Sequence, residues 1–158
     1  MSVSTIERSI DVNVPARTAY NQWTQFESFP AFMTGVRSVR QLNDRLLRWQ
    51  IELGGRDLVF HTEITEQIPD KRIAWRSLDG RAHSGVLTFH RLSDETVRVM
   101  LQMSYEAVGF LENLADLFGI LESRVNTDLV DFKYFIERRG AETGGWRGAI
   151  ERPEDRAS

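Results

Sequence analysis

Three polar residues near the ends of predicted strands, Ser77, His83 and Tyr105, are the strongest candidates for chemistry in this 158-residue chain. If the loops around Gly80 and Ser93-Asp94 each contain three residues, antiparallel pairing places Ser77 opposite His83 and His83 opposite Tyr105. The hydroxyl, imidazole and phenol then form one row. Such a row can orient a polar ligand head or transfer a proton during an aldol cyclisation. The alternative is structural, because strand ends are often polar and His83 lies near a turn.

Other catalytic and metal-binding patterns are missing from the sequence. His61 and His90 fall on the opposite strand parity from His83, and no histidine has metal-ligand spacing to acidic residues on a helix, so we predict no metal or cofactor. There is no nucleophile elbow, Walker phosphate loop or dinucleotide glycine fingerprint, which leaves hydrolase, nucleotide-binding and hydride-transfer functions without support. Zero cysteines exclude thiolate catalysis and disulfides.

Alternating polarity predicts the strands that would position these residues. One strand is expected around residues 6–12, two short helices follow over 16–26 and 28–33, and six further strands lie between residues 36 and 105. The predicted turns between the later strands include Gly54-Gly55, Pro69-Asp70 and Asp79-Gly80. Such closely spaced turns indicate an antiparallel meander.

The last regular element is an apolar-striped run from Phe110 to Arg139, which predicts a helix roughly 45 Å long. A helix longer than any strand needs a curved sheet to cover it, and a curved sheet that grips one helix tends to leave a cavity. Gly119 in mid-helix costs roughly 1 kcal/mol relative to alanine. It is explained either by close approach to the sheet or by a bend that lets the first half of the helix open as a lid.

The sheet face under this helix is predicted to form a mainly apolar wall with few polar groups, as ligand pockets do. The predicted ligand-binding residues are Phe32, Met33, Trp49, Phe60, Thr62, Trp75, Ser77, Gly85, Leu87, Phe89, Leu101, Met103, Phe118, Leu121, Arg124 and Val125, and the candidate catalytic residues are His83 and Tyr105. Gly85 is expected opposite Trp75, where a strand without a side chain accommodates the indole. A solid core has the same sequence pattern as a cavity wall, so both interpretations stay open.

Composition restricts the partners. The net charge is -3 with both signs interspersed, and without a basic patch we expect no nucleic-acid binding. The N-terminus does not read as a signal peptide and no apolar run is long enough to span a membrane, so we expect a cytoplasmic protein without stable membrane insertion. Residues 140–158 are rich in glycine and charge and are expected to form a flexible tail. Trp146 in that tail is either exposed or docked on the domain or a neighbouring subunit.

Several short segments carry a resemblance to a known superfamily. They are Ile10-Asp11-Val12-Asn13-Val14-Pro15, Trp23, Phe26, Phe29-Pro30-Ala31-Phe32-Met33, Glu63-Ile64-Thr65, Ile68-Pro69-Asp70 and Ile73-Ala74-Trp75. With the order of elements, they resemble the SRPBCC or START-like superfamily and its bacterial polyketide cyclase/dehydrase and coenzyme-Q-binding branch. The resemblance covers residues 3–139 and implies an α+β helix-grip fold. In that fold, a curved seven-stranded antiparallel sheet wraps a long C-terminal helix, with two short helices after strand 1.

The resemblance implies binding of a hydrophobic or amphipathic small molecule such as a lipid, quinone or polyketide, and it does not imply catalysis. Our first hypothesis is therefore a noncatalytic binding or transport protein. The second is a polyketide cyclase/dehydrase that uses His83 or Tyr105. The resemblance implies a cavity arginine in aromatase/cyclase relatives, but this chain has Gln67 at the position that would align with it. Arg48, Arg76 and Arg98 fall on the outward strand parity, so we expect no inward strand arginine.

A third hypothesis is an interaction module whose cavity has collapsed. Phe110, Leu117 and Ile120 widen the apolar surface in the first half of the long helix. That surface could face a cavity mouth formed with Phe32 and Met33, a partner in a homodimer, or a membrane surface.

Overall fold

Alternation of polar and apolar residues produces a seven-stranded antiparallel sheet in the order β1-β7-β6-β5-β4-β3-β2. The computed structural model describes residues 2–79, 82–107 and 114–151. The strands are β1 Ser2–Val12, β2 Val36–Gln41, β3 Leu46–Leu53, β4 Arg56–Ile68, β5 Arg72–Ser77, β6 His83–Ser93 and β7 Thr96–Ala107. The helices are α1 Ala16–Trp23, a short 3-10 helix Phe26–Ala31, and α2 Leu114–Arg139. These elements form the α+β helix-grip fold that the sequence predicts, with two short helices after β1.

The hairpin turns set the register of the sheet. Gly54 and Gly55 both have left-handed backbone conformations, with φ of 60° and 82°, as a tight two-residue hairpin requires. Asp70 at the β4–β5 turn also has a positive φ of 64°, which aspartate tolerates better than most residues. The β3–β4 turn pairs Trp49 with Phe60, so both side chains project from the concave face of the sheet.

Helix α2 packs across that concave face through one apolar stripe. Val125, Leu129, Phe132 and Ile136 are buried and recur at the predicted three- and four-residue steps. Phe110, where the predicted helix begins, lies outside the described residues. At the other end, helix α2 stops at Arg139, as predicted. Of the described helices, none is long and apolar enough to cross a membrane.

Residues 140–151 differ from the expected flexible tail. They run back along α1 to β4, where Ile150 forms an isolated antiparallel bridge with Gln67 and is 3% exposed. Trp146 packs against the apolar core, which corresponds to the docked alternative. Gly144, Gly145 and Gly148 lie close to neighbouring side chains, which is a second physical reason for glycine besides flexibility. Residues 152–158 lie outside the described chain.

Candidate ligand-binding cavity

A cavity of about 220 Å³ lies between the concave face of the sheet and α2. Of the residues predicted to bind a ligand, those that border it are Met33, Trp49, Phe60, Thr62, Trp75, Leu87, Leu101, Met103, Leu121, Arg124 and Val125, and the candidate catalytic residue His83 borders it too. Trp23, Phe26 and Phe29 complete one wall from the short helices. The apolar face therefore encloses space, which contradicts the solid-core interpretation and the collapsed-cavity hypothesis.

Two aromatic residues on neighbouring strands form a flat part of the wall. The rings of Trp49 and Phe60 stack with an interplanar angle of 7° and centroids 5.9 Å apart. The indole Nε1–H of Trp49 donates a hydrogen bond of 2.9 Å to Oγ1 of Thr62, which is 1% exposed. Because the indole is held by both a ring contact and a hydrogen bond, its face toward the cavity has a fixed orientation.

Trp75 occupies the space above Gly85, as the sequence predicts. The two residues are paired across β5 and β6, and a Cβ built on Gly85 would lie 2.4 Å from both Cζ2 and Cη2 of the indole. No side chain larger than hydrogen fits there without a shift. Gly85 itself does not border the cavity, because the indole covers it.

The predicted polar row forms at the ends of β5, β6 and β7. His83 pairs directly with Tyr105, and the backbone N–H of His83 donates a 3.0 Å hydrogen bond to Oγ of Ser77. His83 Nδ1 and the Tyr105 hydroxyl are buried without a hydrogen-bond partner among the described groups. Burial lowers the pKa of His83, which favours a neutral imidazole at pH 7. Of the three, only His83 is among the residues that border the cavity.

Asp128 on α2 is a cavity residue that the sequence analysis missed. Its Oδ1 is buried with no partner in the described part of the chain. Desolvation by burial raises its pKa to about 7, while Arg124 acts to lower it and Asp131 to raise it further. The available signal was its position within the buried stripe, one residue before Leu129 and one turn after Arg124.

Arg124 lies at the rim of the cavity beside β3. Its guanidinium Nη2 is 3.5 Å from Oε2 of Glu52, and both side chains are about one-third exposed, at 29% and 33%. The guanidinium also covers Gly35, where a Cβ would lie 2.7 Å from Nη1. The cavity therefore has polar groups along α2 as well as at the ends of the strands.

One expectation about arginines is wrong. Arg8 pairs with Leu101 across β1 and β7, so it lies on the concave face, where Nη2 is 2.6 Å from Oε1 of Glu122 on α2. Alternation in β1 places Arg8 on the same face as Ile6, Ile10 and Val12, whereas its partner Glu122 is far away in sequence and does not follow from parity. Arg76 and Arg98 do lie on the outer face, where they pair with Glu63 and Asp11.

Several predicted site residues do not border the cavity. Phe32 packs between Trp23, Phe132 and Phe135, so it does not form a mouth with Met33. Phe89 packs edge-on against Tyr20 of α1, at 5.4 Å between ring centroids. Ser77, Gly85 and Tyr105 share the concave face but are absent from the cavity wall. Strand parity assigns a residue to one face of the sheet and does not say how far along the strand the cavity extends. The side chain of Phe118, another predicted ligand-binding residue, lies outside the part of the chain whose side chains are described.

A curved antiparallel sheet that grips one long helix over an apolar cavity defines the START-like class of proteins, also called SRPBCC. Within that class, residues 12–133 match the family described as polyketide cyclase/dehydrase and lipid transport, and the chain belongs to this family.

The chain is also similar to known proteins in sequence and in fold. The chain is 50% identical over 149 residues to an uncharacterised 17.2 kDa protein of Streptomyces lincolnensis, covering 94% of this chain and 99% of the relative. Its fold is similar to the Zhui aromatase/cyclase of Streptomyces sp. R1128, with a TM-score of 0.77, 17% identity, and coverage of 92% and 100%. It is also similar to a START superfamily protein of Mycobacterium smegmatis, with a TM-score of 0.68, 16% identity, and coverage of 85% and 95%. At these identities, the two solved structures show likeness of fold alone.

Proposed function

We propose that the protein binds a hydrophobic or amphipathic small molecule in the cavity between the sheet and α2. The observation that carries this proposal is a cavity of about 220 Å³ with an aromatic and aliphatic wall and only a few polar groups. An engineered apolar cavity of about 150 Å³ is enough to hold benzene. The volume here therefore suits a small aromatic or aliphatic ligand, and lipids, quinones and polyketides are the candidate classes that family membership supports.

Native mass spectrometry of the purified protein, followed by extraction of any retained molecule, tests the proposal directly. A panel of neutral lipids, quinones and aromatic polyketides should include at least one compound that binds and quenches tryptophan fluorescence, since Trp23, Trp49 and Trp75 border the cavity. Failure of every member of the panel, together with no retained molecule, would contradict the proposal.

A cavity-filling substitution provides a sharper test. Leu101→Phe adds a ring from the sheet into the cavity and is expected to weaken binding at least tenfold, because it removes the volume that the ligand needs. Met100→Phe is the matched control, since residue 100 precedes Leu101 on β7 and projects from the opposite face. Equal affinities for Leu101→Phe and the unmodified chain would place the ligand elsewhere.

The second candidate function is a polyketide cyclase/dehydrase reaction in the same cavity. It is favoured by two titratable groups, His83 and Asp128, which both border the cavity with a buried polar atom that has no hydrogen-bond partner in the described part of the chain. A neutral imidazole can accept a proton from the carbon next to a ketone, and a protonated carboxyl can donate one to a leaving hydroxyl. In this proposal Tyr105 acts as a positioning residue beside His83.

Turnover of a linear polyketone substrate by the variants His83→Ala, Asp128→Asn and Tyr105→Phe distinguishes a cyclase/dehydrase from a protein that only binds its ligand. A cyclase is expected to lose at least a hundredfold in kcat in the first two variants, which is the ordinary contribution of a general acid or base. Tyr105→Phe is expected to change kcat less, because the hydroxyl that it removes has no hydrogen-bond partner among the described groups. Turnover that stays unchanged in all three variants contradicts these roles and leaves ligand binding as the function.

A further inference from the structure

The segment from Glu142 to Ile150 is hydrogen-bonded to α1 through Glu142, Thr143 and Arg147. Gln22 exchanges two hydrogen bonds with Thr143, one from its Nε2 to Oγ1 at 3.1 Å and one from the Thr143 N–H to Oε1 at 2.9 Å. The N–H of Trp146 donates to Oγ1 of Thr24 at 3.0 Å. Gln22 and Thr24 are 0% and 3% exposed, so these bonds satisfy buried polar groups of α1 and of the residue that follows it.

Arg147 ties the same segment to two other elements. Its Nη1 donates to Oδ1 of Asn21 at 2.8 Å, and its guanidinium binds both carboxylate oxygens of Asp70, at 2.7 and 2.9 Å. The guanidinium also lies over the ring of Tyr20, 5.5 Å from the centroid. A bidentate pair of this kind fixes orientation as well as distance. Arg147 therefore joins α1 to the β4–β5 turn.

Helix α1 is short and has no side-chain cap at its N-terminus. It is eight residues long, Pro15 at its start provides no side-chain hydrogen bond, and Thr24 at its end donates one from Oγ1 to the carbonyl oxygen of Asn21 at 2.6 Å. Isolated helices of that length are not stable in water and depend on tertiary contacts. Ala19, Tyr20 and Trp23 supply apolar contacts with the core, and residues 142–147 supply the side-chain hydrogen bonds of Asn21 and Gln22.

Trp23 connects α1 to the cavity. It follows Gln22 directly, borders the cavity, and packs on Phe29, Phe32 and Phe132 with ring centroids 4.8 to 5.5 Å apart. A displacement of α1 would therefore move an aromatic wall residue and disturb the ring cluster behind it.

We propose that residues 142–150 form a strap that holds α1 and, through Trp23, fixes the aromatic wall of the cavity. Releasing the strap loosens α1 and weakens ligand binding while the sheet stays folded. The effect on ligand binding rests on the proposed function, whereas the effect on α1 does not.

Gly145→Val in the full-length chain releases the strap by steric conflict. A Cβ at residue 145 would lie 2.9 Å from Cγ of Asn21, and the φ of Gly145 is outside the left-handed region, so the backbone itself tolerates a side chain. Ala149→Val enlarges an exposed side chain of the same segment and is the matched control. Arg147→Ala, with the exposed Arg138→Ala as its control, removes the guanidinium contacts without adding bulk.

Hydrogen exchange measured by mass spectrometry on these variants is the deciding experiment. Amides of residues 19–24 should exchange at least tenfold faster in Gly145→Val and Arg147→Ala, with β6 and β7 unchanged and both controls like the unmodified protein. Unchanged exchange of α1 in both strap variants overturns the proposal, and so does an equal rise throughout the sheet.

Affinity for the neutral fluorescent probe N-phenyl-1-naphthylamine, measured on the same proteins, tests the link to the cavity. We expect about fivefold weaker binding in the two strap variants. If the unmodified chain does not bind the probe or any other apolar ligand, the proposed function fails, and the exchange data still decide whether the strap holds α1. If binding is unchanged while α1 exchanges faster, the link from α1 to the cavity is overturned.

Discussion

At the residue scale, two of the titratable groups that border the cavity, His83 and Asp128, have opposite pKa shifts with the same cause. Burial lowers the pKa of His83 and raises that of Asp128 to about 7, since desolvation disfavours the charged form of each. An apolar ligand therefore meets groups that have lost much of their tendency to carry charge. Both can still form a hydrogen bond to a polar ligand atom, because Nδ1 and Oδ1 have no partner among the protein groups described.

The raised pKa of Asp128 predicts a pH-dependent loss of stability. The folded protein binds the proton up to about pH 7, whereas the unfolded chain releases it near 3.8, the ordinary pKa of an aspartate, so the free energy of unfolding falls as pH rises between these values. Asp128→Asn removes this pH-dependent loss and is expected to stabilise the protein by about 2 kcal/mol at pH 8, and by little at pH 3.5.

Thermal unfolding from pH 3.5 to 8.5 measures this difference. Asp44→Asn makes the same chemical change at an exposed position and is the control. A constant difference in melting temperature between Asp128→Asn and the unmodified protein over that range would show that the carboxyl is not buried as described.

At the scale of elements, glycines mark two kinds of position in this fold. Gly54 and Gly55 are needed for the positive φ angles of the β3–β4 hairpin. Gly85 and Gly145 instead allow a neighbouring side chain to approach the backbone closely. Glycine content alone does not distinguish a positive φ or a close approach from flexibility. For that reason the glycine-rich residues 140–158 were predicted to be flexible.

Gly85→Ala tests the fit between β5 and β6. The added Cβ would lie 2.4 Å from the Trp75 ring and 3.1 Å from the carbonyl oxygen of Gln102, so one of them must move. Overpacking of this kind is expected to cost about 1 to 3 kcal/mol in the free energy of unfolding.

Urea denaturation of Gly85→Ala, Trp75→Leu and the double variant measures how strongly residues 75 and 85 are coupled in the free energy of unfolding. The double variant should lose less stability than the sum of the single changes, because the smaller side chain leaves room for the methyl group. Ser84→Ala on the exposed side of β6 is the control. Additive losses would show that the indole does not restrict residue 85.

At the scale of the whole molecule, the cavity is a departure from the close packing of an ordinary core. Leu101→Phe fills part of it, so the variant that loses ligand affinity is expected to keep or raise its melting temperature. Calorimetry on the Leu101→Phe and Met100→Phe proteins checks this, and a large loss of stability in Leu101→Phe alone would mean that the space is too small for a ring.

Formation of a homodimer stays a prediction, which sedimentation velocity can test.

The sequence by itself determined the number of strands, their alternation and the local pairings. His83 opposite Tyr105 and Gly85 opposite Trp75 were predictable, because short turns between antiparallel strands make register a matter of counting residues. The apolar stripe of α2 was also predictable, because helical periodicity is a local property of the sequence.

Only the tertiary structure decided whether the apolar face is a cavity wall or a solid core, and which residues border it. Asp128, the ion pair of Arg8 with Glu122 and the strap all depend on contacts between residues more than 40 positions apart. Such contacts depend on how far α2 stands from the sheet and where the chain returns after Arg139. Periodicity and turn residues determine neither the spacing between α2 and the sheet nor the path of the chain after Arg139, because the packing of all the elements sets both.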